Sequence, residues 1–322
     1  MKKILTGLKP TGELTLGNYI GAIKQMKQLQ DQYDSYLFVA DLHALTVPQN
    51  PSDLRRRIRD FLALYIACGI DPNKNLIYLQ SENEFIPAIS WLLECSTYYG
   101  EASRMIQFKE KSKQHSNFSV GLLTYPVLMA ADILYADIDL VPVGIDQKQH
   151  VELARDIAIR FNKNYGDTFV IPEVLISETG TKIKDLKDPT KKMSKSEENP
   201  NGVILMLDEE KAIRKKIMGA TTDSEMSVHF DEEKKPGISN LMYIYASLKE
   251  KIEAEFQGEN YGTFKKKVAD AVVETLLPIQ ERYHELLHSN ELDHILDQGI
   301  AKSREIAKKK YQDMAKKMGL ER

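Results

Sequence analysis

Through the first half of the chain, short apolar runs alternate with stretches in which apolar residues recur every three or four positions. Residues 35–40 (Ser-Tyr-Leu-Phe-Val-Ala) and 75–79 (Asn-Leu-Ile-Tyr-Leu) are runs of strand length, and Asp139-Leu-Val-Pro-Val143 is a shorter one. Near the N-terminus Ile4-Leu5 runs into Gly7 and then the turn signal Pro10-Thr11-Gly12, after which Ile20, Ile23, Met26 and Leu29 fall at helical spacing. Segments 52–68 and 86–98 carry the same helical period, the first with Ser52 as its expected cap. This alternation predicts an α/β fold with a doubly wound parallel sheet, whose ligand lies at the carboxyl ends of the strands. After about residue 203 the strand patterns fade. Segments 208–219, 238–249, 263–289 and 291–318 read as helices, broken by Pro236-Gly237 and Gly258–Gly262. The expected division is an α/β domain over residues 1–200, with a helical insertion at about 105–165, followed by a mostly helical domain over 201–322.

Composition narrows the class. The chain of 322 residues is 42% hydrophobic and 28% charged, ordinary values for a globular protein, and its formal net charge is −3. No global cationic field marks a nucleic-acid partner, so any RNA contact has to come from local patches. Apolar runs are too short for a signal peptide or a membrane span, which predicts a cytoplasmic protein without a membrane partner. Cys68 and Cys95 stand in apolar stretches without metal spacing and are expected to be buried, reduced thiols.

Two segments carry the chemistry. Residues 192–196 read Lys-Met-Ser-Lys-Ser, between Pro189 and Pro200. Two ammonium groups three residues apart, beside small hydroxyls, suit a polyphosphate; a lysine-rich run alone also fits a solvated loop. At the N-terminus, strand, loop and helix follow in the order of a phosphate-cradling crossover. Gly7, Gly12 and Gly17 there allow a ligand close to the backbone, and the amides opening the helix favour an anion. The chain contains no Gly-x-Gly-x-x-Gly, and Asn18 stands where a P-loop requires lysine.

With both segments in view the chain resembles the class I aminoacyl-tRNA synthetases, and among them the bacterial-type tryptophanyl-tRNA synthetases. Thr15-Leu-Gly-Asn18 occupies the position of that family's HIGH motif, and Lys192–Ser196 is its KMSKS signature unchanged. Val143-Gly-Ile-Asp-Gln-Lys-Gln-His150 and Gly121-Leu-Leu-Thr-Tyr-Pro-Val-Leu-Met-Ala-Ala-Asp-Ile-Leu134 match two further blocks, and the likeness runs from residue 1 to about 320. The resemblance implies a Rossmann-like catalytic domain that activates L-tryptophan with ATP to tryptophanyl-adenylate and pyrophosphate. The tryptophanyl group is then transferred to the 3′ end of tRNA(Trp). Carboxylate attack needs no general base at neutral pH; alignment and phosphate charge are the demands.

Thr15, Asn18, Lys192, Ser194 and Lys195 are expected at the reacting phosphates, and Met193 and Ser196 complete the signature. By resemblance, Lys9, Pro10, Thr11, Gly17, Gly144, Ile145, Asp146 and Ile183 line the ATP site. Lys9 departs from relatives, in which a neutral residue is usual; it fits a phosphate contact and a solvent-facing position equally. Lys111 is a further phosphate candidate or a solvated lysine. Mg²⁺ is expected to arrive with ATP, since no carboxylate pair marks a dedicated metal site.

Tryptophan offers one polar handle, an indole N–H that only donates, so its pocket requires apolar walls and one acceptor. Asp132, flanked by Leu128-Met-Ala-Ala131 and Ile133-Leu134, is a carboxylate in unusually apolar company. Alone it fits a buried ion pair; the resemblance assigns it to the indole N–H. Met129, Val141 and Val143 are expected on the ring, Tyr125 and Gln147 at the amino group, and His43, Leu5 and Gly7 nearby. Leu5 stands where an aromatic residue is common.

The RNA side rests on the C-terminal stretch, which carries Lys302, Arg304, Lys308, Lys309, Lys310, Lys316, Lys317 and Arg322. This basic helix fits tRNA phosphates and a solvated terminus alike. The resemblance assigns the helical domain to the anticodon and implies a homodimer. The alternatives are a tyrosine-specific or other small class I synthetase, or a nucleotidyltransferase making a small cofactor.

Overall fold

In the computed structural model the described residues are 1–10, 12–114, 117–176, 183–194, 199–249, 256 and 259–322, without the side chains of Lys111 and Gln114. Five strands form one parallel sheet in the order β3-β2-β1-β4-β5: β1 (Lys3–Leu8), β2 (Asp34–Val39), β3 (Asn75–Leu79), β4 (Leu140–Val143) and β5 (Glu173–Ile176). β2 shows why these runs are continuously apolar. Tyr36 and Phe38 enter the core on one face and Leu37 the core on the other, so both alternating sets are buried.

The first crossover carries α1 (Leu16–Asn18), a widened π-type turn over Tyr19–Ile23, and α2 (Lys24–Leu29). Then come α3 (Asp41–Ala44), α4 (Pro51–Ala67), α5 (Phe85–Glu94), α6 (Tyr99–Ala102), α7 (Ile106–Gln114), α8 (Val120–Leu134) and α9 (Lys148–Tyr165). Beyond the sheet lie α10 (Glu210–Met218), α11 (Pro236–Lys249), α12 (Tyr261–Leu287) and α13 (Glu291–Lys317). The doubly wound sheet and the helical C-terminal region match the sequence expectation, including the strand at 75–79 residue for residue.

Several local readings are corrected. The cap of α4 is Asn50, whose side chain accepts from the amides of Ser52 and Asp53; Pro51 takes the first helical position and moves the cap upstream of itself. The helix expected to run to residue 98 stops at Glu94. Pro236, read as a breaker, is the first residue of α11, where its missing N–H costs nothing. The stretch 105–165 is interrupted by β4, which pairs with β1 inside the sheet. Cys68 is buried, and burial pushes its thiol up to about 12, whereas Cys95 is exposed.

The cores do not divide at residue 200. The apolar face of α4, from Phe61 to Ile66, shares a cluster with Leu276, Ile279 and Tyr283 of α12. In the opposite direction α13 returns to the sheet and contributes Ala307 and Met314 to the cluster around α8 and α9. Four of its basic residues are engaged there or within the helix: Arg304 with Glu84 at 2.7 Å, Lys309 with Glu305 at 2.6 Å, Lys310 with Asp137 at 2.7 Å, and Lys317 with Asp313 at 2.8 Å. Part of what reads as a phosphate-binding stripe therefore docks this helix. Among the described residues, no helix is long and apolar enough to cross a membrane.

Gly299 sets how closely α13 approaches β3. A Cβ at this position would stand 1.6 Å from the carbonyl oxygen of Ile77, which is sheet backbone and cannot yield like a side chain. Gly299→Ala should therefore destabilise the protein by about 3 kcal/mol, the upper end of ordinary overpacking. Urea unfolding checks this; a loss below about 1 kcal/mol would show that the helix moves aside freely.

Candidate active site

A cavity of about 330 Å³ opens at the carboxyl ends of β1, β2 and β4, where an open α/β sheet is expected to hold its ligand. Leu5, Gly7, His43, Tyr125, Met129, Asp132, Val141, Val143 and Gln147, the full set anticipated for the amino acid, line this one cavity, with Lys9 at an exposed position on its wall. Thr6, Phe38, Ala40, Thr46, Gln107, Ile133 and Pro142 complete the lining.

The cavity is mainly apolar, and Asp132 is its buried carboxylate, fully inaccessible on α8. His43 Nε2 lies 2.9 Å from its Oδ2, and Gln80 Nε2 donates to both oxygens at 2.9 and 2.8 Å. Burial raises the Asp132 pKa above the ordinary carboxylate value, and the hydrogen bonds from His43 and Gln80 act in the opposite direction. Three contacts occupy three of roughly four lone-pair positions on the carboxylate, leaving one acceptor position at Oδ1.

Gln80 was not anticipated. It is wholly buried in the single turn Gln80–Glu82 that follows β3. The next residue fixes that turn: Ser81 donates its amide to Asp41 Oδ1 at 2.9 Å and its hydroxyl to Asp41 Oδ2. Asp41 and His43 share α3, so two short elements converge on Asp132 as one closed network. The only signal in the sequence is Gln80's place directly after a strand, at the sheet's functional edge. His150 was also missed as a site residue: its Nε2 lies 2.7 Å from the hydroxyl of Tyr125, which also donates to Gln107 at 3.1 Å. These partners hold the Tyr125 ring in place; burial pushes its phenol up to about 12, so it remains a neutral hydroxyl.

The phosphate side is built around the first helical turn. Thr15 and Asn18 form a reciprocal cap: the Thr15 amide and hydroxyl both donate to Asn18 Oδ1 at 2.9 Å, and the Asn18 amide donates to Thr15 Oγ1 at 3.2 Å. The amide of Leu16 donates to Ile204 O at 2.9 Å. Protein groups therefore already satisfy amides that were expected to meet an anion. The cap uses only Oδ1 of Asn18, which leaves its Nδ2 outside the cap. The glycines differ in what surrounds them, and Gly7 keeps its place on the cavity wall. A Cβ on Gly7 would meet the Phe38 ring at 2.7 Å, whereas one on Gly17 would lie 3.6 Å from Met193 and 3.7 Å from Ile183. Gly12 has φ of 83°, which the turn after β1 demands of it.

The Gly17 turn faces the second signature segment across the space a Cβ would occupy. Met193 and Ile183 are buried, Lys192 is exposed and Ser194 half-buried. Lys192 stands opposite Lys184 in a short antiparallel ribbon. Pro10 is buried; Gly144, Ile145 and Asp146 are exposed at the end of β4, and Asp146 Oδ2 accepts from Gln147 Nε2 at 2.9 Å. Thr11, Lys195, Ser196 and the side chain of Lys111 lie outside the described residues. Among the described residues, no cluster of His, Cys, Asp or Glu could hold a metal ion.

A family model described as class I tRNA synthetases (W and Y) matches residues 1–277. The chain is 52% identical over 325 residues to a tryptophan–tRNA ligase of Halalkalibacterium halodurans, covering 100% of this chain and 98% of that protein. It is 51% identical over 323 residues to the corresponding ligase of Bacillus subtilis, covering 99% and 98%. The structure of tryptophanyl-tRNA synthetase from Campylobacter jejuni complexed with ADP and tryptophan superposes with a TM-score of 0.87 at 36% identity, covering 98% of this chain and 99% of that one.

Raised by burial, the pKa of Asp132 implies that its ionised form weakens the fold. An acid with an elevated folded-state pKa contributes stability below its unfolded pKa and loses it as pH rises through the folded value. Asp132→Asn, of nearly equal size, should therefore gain stability relative to the native chain as pH rises from about 4 through neutrality. Thermal melts of both proteins across that range check the sign. A difference independent of pH would mean that Asp132 is not the buried, titrating group described.

Proposed function

We propose that this chain, which belongs to the class I tRNA synthetases (W and Y), is a tryptophan–tRNA ligase that activates L-tryptophan with ATP and transfers it to tRNA(Trp). The observation that carries this reading is the cavity: apolar walls, one buried acceptor and a polar rim, joined to the lysine signature through Gly17.

An indole laid between Met129, Val141 and Val143 gives its N–H to the open position on Asp132. Gln80 and His43 donate to the same carboxylate, so it remains an acceptor and its orientation is fixed. A phenylalanine ring in this place leaves the carboxylate short of a donor, the situation in which polar sites discriminate by about 10⁴–10⁵. Tyr125 and Gln147 face the amino group, which leaves the substrate carboxylate toward the phosphates. One of its oxygens attacks the α-phosphorus of ATP, and the bond from that phosphorus to the pyrophosphate oxygen breaks. Asn18 Nδ2, Lys192, Ser194 and Lys195 stabilise charge on the departing pyrophosphate; the nucleotide enters as its Mg²⁺ complex. The 3′-terminal ribose hydroxyl of the tRNA then attacks the mixed anhydride, and AMP leaves.

Residues to about 200 carry activation, and the helices beyond them carry the anticodon end of tRNA. Lys302, Lys308, Lys316 and Arg322 remain the candidates for phosphate contacts on the C-terminal stretch, because the other four basic residues there are paired with carboxylates. An apolar groove between α5, α6 and α8, with Trp91 64%, Tyr98 64% and Tyr99 75% exposed, supports a homodimer in which a second copy covers these rings. The working compartment is the cytoplasm, where tRNA is charged.

Exchange of pyrophosphate into ATP should depend on tryptophan when each amino acid is assayed separately. A higher rate with tyrosine would move the assignment to the tyrosine enzyme. Lys192→Ala and Lys195→Ala should each slow single-turnover adenylate formation by about 10²–10³ while tryptophan still binds. An unchanged rate constant removes that lysine from the mechanism. Sedimentation should give a dimer, and Trp91→Glu should release monomer; a dimer unaffected by this charge lies on another face.

A further inference from the structure

The short ribbon that presents Lys192 is itself held from outside. In the pairing of Lys184 with Lys192, the cross-strand bonds run from Met193 N to Ile183 O at 3.1 Å and from Asp185 N to Lys191 O at 3.0 Å. The amide and carbonyl of Lys184 therefore point away from the signature strand, as an unpaired sheet edge does. Both are met by one side chain. Asn240 Oδ1 accepts from Lys184 N at 2.8 Å, and Asn240 Nδ2 donates to Lys184 O at 2.9 Å. A carboxamide carries one acceptor and one donor in the same relation as a strand's backbone, so Asn240 stands in for a third strand.

Asn240 is on a rigid support. It lies in α11 with only 3% of its surface exposed, next to Leu241 and two residues from Ile238, both fully buried in the bundle core. The start of α11 is pinned in turn, because the Asp231 amide donates to Ser239 Oγ at 2.9 Å. The surface beside this contact is not packed. A crevice of about 410 Å³ opens here, with Lys184 and Asn240 on its wall beside Pro189, Thr190, Glu233 and Tyr243. The double hydrogen bond lies at the edge of this crevice and adds a polar tether to the apolar packing of Ile183, Leu186 and Met193.

We propose that Asn240 is a positioning residue for amino-acid activation: by completing the outer edge of the signature ribbon it registers Lys192 against the helical bundle. It touches neither substrate and acts only through Lys184 and the strand opposite. The inference rests on the reaction proposed above, and the test keeps the two apart, since tryptophan-dependent exchange by the native enzyme is measured first and its absence rejects the reaction, not the clamp.

Asn240→Ala removes both hydrogen bonds. Asn240→Asp keeps the size and the acceptor but sets a second carboxylate oxygen against Lys184 O, and serves if the alanine variant fails to fold. Single-turnover adenylate formation at saturating ATP and tryptophan should slow by about 10- to 100-fold in either variant, the scale of a misplaced catalytic group. The dissociation constant for tryptophan, measured by equilibrium dialysis, should stay within about twofold, because neither Asn240 nor Lys184 lines the amino-acid cavity. Adenylate formation at the native rate overturns the proposal. So does a loss of tryptophan affinity in step with the rate, which marks general destabilisation instead of misplacement of the ribbon.

Discussion

The site depends on how the first helical turn is seated beside the ribbon carrying Met193 and Ile183, with a Cβ at Gly17 falling at ordinary van der Waals distance from both. The two segments are far apart in sequence and meet because a short antiparallel link joins Thr15 to Leu205, with Leu16 N bonded to Ile204 O and Met206 N to Leu14 O. Ile204 and Met206 are fully buried in the core shared by α4 and the bundle. Burial of that core therefore seats the first helical turn.

The amino-acid side is governed by a different constraint, a carboxylate held out of water. Burying Asp132 is unfavourable, and the fold compensates with donors from two separate elements, α3 and the turn after β3. The same donors leave the carboxylate, which lines the cavity, with an unused acceptor position at Oδ1. In the proposed reaction selectivity and instability thus have one origin: the carboxylate offered to the indole N–H is one whose ionised form the fold disfavours.

Much of this was legible in the residues. The strands were visible because sheets buried on both faces need continuous apolar runs, and Asp132 was visible because it interrupts such a run on α8. The residues around the amino acid needed the family blocks as well, since periodicity alone assigns Tyr125 and Gln147 no role. What stayed hidden is what acts across the fold. Gln80 follows a strand without any motif, and its function comes from Asp41 fixing Ser81. Asn240 reads as an ordinary helix position because its partner is backbone. β5 is four residues long and half exposed, too short for a pattern. The basic residues of α13 were only half legible: two of the four paired ones meet a carboxylate one helical turn away in the same helix, whereas Arg304 and Lys310 meet Glu84 and Asp137 elsewhere in the chain.

The most direct test is a crystal structure of the enzyme with a tryptophan analogue lacking the reactive carboxylate and with ATP. The account predicts the indole nitrogen within hydrogen-bond distance of Asp132 Oδ1, Gln80 and His43 still on that carboxylate, and the triphosphate between Asn18 and Lys192. An indole turned away from Asp132, or phosphates bound away from the Gly17 turn, would contradict it.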